Sequence, residues 1–170
     1  MINFNKKNKN SSLGGYTLVE LLFYVALFAV LTLTVINALI IMTKAFKETT
    51  IQRELTQGST ILERISREIR KASDITSISA TNLKLATADD TGAAKTVEFL
   101  LSGTDLQLLE NNVLTGNLNG PNISITGLSF SQITTAHSKA VKITVTVRSN
   151  NDIQNRNADF YNSVVLRGTY

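Results

Sequence analysis

Residues 16–43, YTLVELLFYVALFAVLTLTVINALIIMT, decide how the rest of the chain is read. Glu20 is the only charge among them, and Thr32, Thr34 and Asn37 are the mildest interruptions of the apolar run. From Leu21 to Thr43 there are 23 consecutive uncharged residues. A helix of about 20 mainly apolar residues is long enough to cross a bilayer, so this stretch is expected to be a membrane segment.

Upstream, residues 1–15 are basic and end in Leu13-Gly14-Gly15. An ordinary secretory signal places its small-residue cleavage site after the hydrophobic region. Here the small residues come before it, so cleavage after Gly15 would remove the basic leader and leave the apolar helix on the mature chain. The net charge of +4 belongs largely to that leader. It holds three of the 17 Lys and Arg (Lys6, Lys7, Lys9) and no acid, and its loss leaves 14 basic against 13 acidic residues, or +1. Lysines flanking a membrane segment favour the cytoplasmic side, which puts the amino terminus inside and the bulk of the chain outside.

Glu20 requires a reason. An acidic side chain at the centre of a membrane helix costs about 2.5–3.5 kcal/mol on insertion scales, and less near an interface. Two readings stand. Four residues from a freed amino terminus, Glu20 can compensate an ammonium group, its own or a neighbouring subunit's. Alternatively it lies in the headgroup layer, where the positive end of the helix dipole favours a carboxylate.

As an ordered set, the Lys-rich leader, Gly15, Tyr16-Thr17-Leu18-Val19-Glu20 and the uncharged helix resemble the type IV prepilin signal over residues 6–43. The resemblance implies cleavage between Gly15 and Tyr16 by a prepilin peptidase, N-methylation of Tyr16 as the new amino terminus, and an assembly role for Glu20. Tyr16 stands where the family more commonly has Phe, and keeps an aromatic ring. Asn37 lies where many major pilins carry a helix-breaking Pro, and the segment has no Pro, which points away from a major pilin.

Beyond Thr43 charge returns, yet nothing stops a helix before Ser73-Asp74. A helix over residues 17–72 is expected, with Gly58 its weak spot at about 1 kcal/mol relative to Ala. Ile51, Leu55, Leu62, Ile65 and Ile69 fall on one stripe, and Glu63–Arg67 and Arg64–Glu68 have the i, i+4 spacing that supports an exposed helix face. Hydrophobic all round, the first half needs lipid or other helices, whereas the second needs one sheet. Residues 62–72, LERISREIRKA, and the late run Ser163-Val164-Val165-Leu166-Arg167 also resemble J-type minor pseudopilins and related minor pilins.

From Ile75 the apolar period becomes two. Val97, Phe99 and Leu101 are followed by a Ser102-Gly103-Thr104-Asp105 turn and then Leu106 and Leu108, a hairpin pattern. Val141, Ile143, Val145 and Val147 form the cleanest alternation, and Leu128/Phe130 and the 160–167 stretch read as further strands. Shorter strands are expected at 75–78, 83–86 and 123–125. Breaks fall at Asp89-Asp90-Thr91-Gly92, Asn119-Gly120-Pro121 and Ser149–Asn157. The expected architecture is α+β: a leader (1–15), a membrane or assembly helix (16–43), its amphipathic continuation (44–73) and a mostly antiparallel β domain (74–170).

Catalytic, cofactor and metal signals are lacking. Cysteine is absent, which removes disulfides, thiolate metal sites and cysteine nucleophiles. The single histidine, His137, sits in a polar stretch and reads as a solvated loop residue. No serine lies in a Gly-x-Ser-x-Gly elbow, and there is no phosphate-cradling glycine loop. Asp89-Asp90-Thr91-Gly92 reads as a turn rather than a Ca²⁺ loop, Asp152 and Asp159 as solvated loop acids, and Asn122-Ile123-Ser124 is a sequon of a kind that arises by chance. No catalytic residue, cofactor or metal is assigned.

The reading is therefore a structural minor subunit of a type IV-pilus-like filament or type II secretion pseudopilus, with a role in initiation or at the tip. Its partners would be prepilin peptidase, other pilin or pseudopilin subunits, membrane lipid before assembly, and the inner-membrane platform and ATPase machinery. It would begin as a single-pass inner-membrane protein and end in a filament in the periplasm or at the cell surface. The alternative is a membrane-anchored β domain that binds a ligand, a surface or DNA through a rim of Lys139, Lys142, Arg148 and Arg156. No interleaved aromatics support base stacking on that rim.

Overall fold

A computed structural model of the chain describes residues 17–134 and 138–166. It contains one helix and eight strands: α1 (Leu18–Lys71), β1 (Asp74–Ile78), β2 (Asn82–Ala88), β3 (Ala94–Ser102), β4 (Asp105–Glu110), β5 (Val113–Asn117), β6 (Ile123–Thr134), β7 (Lys139–Ser149) and β8 (Asn157–Val165). The chain divides into two compact units, Met1–Phe46 and Lys47–Tyr170.

Helix α1 spans 54 residues without a break. Thr17 caps its start, with the Glu20 backbone N–H donating to Thr17 Oγ1 at 3.3 Å. Arg70 and Lys71 occupy its last turn, where cations complement the negative end of the dipole. No described residue before Ile51 is buried, whereas Ile51, Leu55, Leu62, Ile65 and Ile69 all are, as their spacing predicts. The two expected ion pairs form on the exposed side, Glu63–Arg67 at 3.0 Å and Arg64–Glu68 at 3.3 Å.

The amphipathic part of α1 packs on two antiparallel sheets rather than one. Strands β1–β5 form a five-stranded meander in chain order, and β6–β8 a three-stranded one. Backbone bonds join the sheets: the Ile125 N–H donates to Thr104 O at 2.9 Å and the Phe130 N–H to Ala80 O at 3.0 Å. Buried Asn119 staples the same junction. Its Oδ1 accepts from the Leu106 N–H and its Nδ2 donates to Ile123 O, both at 2.8 Å. A single hydrophobic core follows, drawn from α1, from Leu83, Leu85, Val97 and Phe99 of the first sheet, and from the Val141, Ile143, Val145, Val147 row of the second.

Two strands depart from the sequence reading. Residues 123–125 and Leu128/Phe130 belong to one strand, β6, with a register shift between Ile125 and Gly127. An extra residue flips the phase of a strand, so Ile123 and Ile125 face the core in one phase and Leu128 and Phe130 in the other. Strand β5 was not expected. It is mostly exposed, including Val113 and Leu114, so it carries no inside–outside alternation. The local signal lies in Asn111-Asn112, which take φ of 51° and 65° between paired Glu110 and Val113. A two-residue hairpin turn needs positive φ at both positions, and Asn tolerates it best after Gly.

Gly58 proves to be more than a helix weak spot. It lies buried against Phe160 of β8, and a Cβ added there would overlap the ring's Cε2 and Cδ2 atoms. Lacking a side chain, this position admits the aromatic ring against the helix backbone.

Candidate functional site

Gly15 and Tyr16 lie outside the described residues. Glu20 opens the described helix at the third helical position, partly exposed. The Tyr24 hydroxyl, one turn on, donates to its Oε1 at 3.4 Å, long for such a bond, and Oε2 has no hydrogen-bond partner among the described residues. The carboxylate therefore keeps most of its accepting capacity. Thr17-x-x-Glu20 is the Ser/Thr-x-x-Glu pattern of a capping box, a signal the sequence offered and the reading above passed over. Only one of its two reciprocal bonds forms here, from the Glu20 N–H to the threonine. Glu20 thus helps define the helix start through its backbone N–H, while its side chain meets Tyr24.

Downstream of Glu20 the helix is long and apolar enough to cross a membrane, and it has no buried residue over the uncharged run. The hydroxyls within it are satisfied internally. Thr32 donates to Phe28 O at 2.8 Å, Thr34 to Val30 O at 2.9 Å and Thr43 to Leu39 O at 2.8 Å. Each of these hydroxyls thus has a partner without leaving the helix.

In the globular unit several charged residues hold the segment between β7 and β8. Arg156 forms a bidentate pair with Glu48 of α1, at 2.7 and 2.8 Å, and its Nε donates to Asp152 at 2.8 Å. Its guanidinium is the main reason the Glu48 carboxyl titrates at about 2, with Gln52 assisting. Arg156 likewise brings Asp152 to about 2, aided by the Arg156 and Gln154 backbone N–H groups. The two carboxylates in turn hold the guanidinium above its usual range. Six residues further along α1, buried Glu54 accepts from the Ser149 hydroxyl and, at 2.8 Å, from Asn151 Nδ2. The segment between β7 and β8 is thereby pinned to the helix from both of its ends.

These contacts correct part of the sequence reading. Asp152 is not a solvated loop acid: it is 5% exposed and spent on Arg156 and on turn N–H groups. Asp159 accepts from the Thr146 hydroxyl at 2.7 Å. Asp89 is a turn residue as expected, taking bonds from Thr91 and Ala93 that lower its carboxyl. The basic rim is partly consumed, Arg156 by Glu48 and Asp152, and Lys139 by Asp74. Ser124 of the sequon is buried and donates to Asn150 Oδ1 at 2.7 Å. His137 lies outside the described residues. Glu54 escaped the sequence reading because an acid beside Arg53 looks solvated, although its position one turn from both Ile51 and Gly58 put it on the buried stripe.

No group of three or more His, Asp or Glu converges among the described residues. A shallow hollow of about 340 Å³ beside α1, lined by Gln57, Thr60, Ile61, Arg64 and Leu118, offers one charged group, and that arginine already pairs with Glu68.

An apolar amino-terminal helix that continues into an amphipathic half packed on antiparallel sheets defines a pilin-like architecture. No family model, curated protein or solved structure matches the chain.

Proposed function

We propose that this chain is a prepilin whose mature form is a structural minor subunit of a type IV-pilus-like filament or secretion pseudopilus. The observation that carries the proposal is Glu20: a carboxylate on the capped first turn of a long apolar helix, five residues after Gly15. A prepilin peptidase would hydrolyse the Gly15–Tyr16 bond and free the Tyr16 ammonium, which is then N-methylated. During extraction into a helical bundle, Glu20 of one subunit would pair with the Tyr16 ammonium of the next. Pairing lowers the cost of holding both charges among apolar neighbours, since an unpaired buried charge is strongly destabilising. The long bond from Tyr24 leaves Glu20 available for this partner. The resemblance of residues 62–72 and of the late Ser163–Arg167 run to J-type subunits supports a role in initiation or at the tip.

The test is the intact mass of the chain recovered from cells with and without a prepilin peptidase. With the enzyme, the mature chain is expected to begin at Tyr16, and Gly15→Asp is expected to retain residues 1–15. An unchanged mass in the presence of the enzyme overturns the proposal.

A further inference from the structure

Within the uncharged run 21–43, every side chain that carries a hydrogen-bonding group except Asn37 has a partner in its own helix. The Tyr24, Thr32, Thr34 and Thr43 hydroxyls all donate within α1. The Asn37 carboxamide is exposed and has no partner among the described residues. It lies six residues before Thr43, about 9 Å from the end of the run at 1.5 Å per residue, inside a hydrocarbon layer about 30 Å thick. An amide moved into hydrocarbon without a hydrogen bond is costly, so a helix in the bilayer would gain by supplying one from outside itself.

We propose that Asn37 pairs two copies of this chain side by side in the membrane before filament assembly. The inference rests on the membrane reading above. A carboxamide both donates and accepts, so two of them can exchange two hydrogen bonds. Copies inserted with the same orientation, set by the same lysines, bring Asn37 to the same depth, and no residue of a different kind is needed. Ala26, Val30, Leu33, Asn37 and Ile40 follow one another by steps of 4, 3, 4 and 3, the spacing of a helix–helix seam. Val30, Leu33 and Ile40 are exposed and apolar. A lone Asn in such a seam fixes register and number of helices, because a one-turn slip strands both amides.

Since the chain has no cysteine, a single Cys placed at exposed Asp90 allows specific labelling. Full-length chain carrying donor or acceptor dye is reconstituted in phosphatidylcholine vesicles, and energy transfer is followed against lipid-to-protein ratio. Co-flotation with the vesicles reports insertion separately. Asn37→Leu is expected to weaken association about fivefold to thirtyfold, Asn37→Gln to retain most of it, and Thr34→Val to leave it unchanged. Inserted Asn37→Leu that associates like the unsubstituted chain overturns the inference, as does an unsubstituted chain that inserts and stays monomeric. A chain that does not co-float overturns the membrane reading, and this inference with it.

Discussion

The two stretches of α1, Leu18–Phe46 and Lys47–Lys71, share one hydrogen-bonding pattern and draw their stability from different sources. In the second stretch Ile65 and Ile69 are completely buried, and polar residues such as Glu54 and Ser66 are bonded to the three-stranded sheet. In the first, Leu21, Phe28 and Leu31 are more than half exposed. An apolar helix exposed on all sides has a large area to remove from water. One stretch is thus completed by its own chain, and the other calls for material from outside it. That contrast gives the filament proposal its physical basis.

The largest effect expected from breaking this contrast is on assembly. Glu20→Ala should leave cleavage intact and abolish incorporation into filaments, measured as sheared filament fractions beside total mature chain. Normal incorporation would remove the pairing role. Next come paired truncations of the two stretches. Ile65→Ala should destabilise the globular unit by about 2–5 kcal/mol in chemical unfolding, whereas Leu33→Ala should change it by no more than about 0.5 kcal/mol. Equal effects would mean that the two stretches are not energetically separate. Gly58→Leu should cost about 1–3 kcal/mol, the range for overpacking a filled core, with a compensating gain when combined with Phe160→Ala.

The smallest effect is a pH dependence. Glu48 and Asp152 both titrate at about 2 when folded, below their ordinary values of 4.5 and 3.8. Their contribution to stability is therefore complete above the ordinary carboxylate range and is lost as pH falls from there toward about 2. Arg156→Gln should remove much of this dependence, so that the variant's stability falls less steeply with acid than the parent's. Parallel acid profiles would show that Arg156 does not anchor the 149–157 segment.

Most of the fold was legible because it follows two periods. Ile51, Leu55, Leu62, Ile65 and Ile69 mark a helix face and Val141 to Val147 a strand face, and both faces are buried as their spacing implies. What escaped depends on neighbours that a local pattern cannot name. A bulge residue, Thr126, hid the unity of β6 by shifting its phase. The sheet edge β5 has no buried face to produce alternation. The joining of the two sheets rests on Asn119 and on two backbone bonds from β6, features with no local signature. Of the site, Glu20 stood out because it was the one charge in an apolar run. The partners of Glu54, 95 and 97 residues away in sequence, emerge only in three dimensions.

The Gly58–Phe160 contact carries a consequence for relatives of this chain. The space under the Phe160 ring is shared, so side-chain volume at one position must be given up at the other. Positions 58 and 160, separated by about a hundred residues, should therefore covary inversely in size. Lineages that gain Ala or Ser at 58 should carry a smaller residue at 160, and those that keep a large aromatic at 160 should hold glycine at 58. A helix position that looks like a lapse in propensity would then be among the slowest in the chain to change.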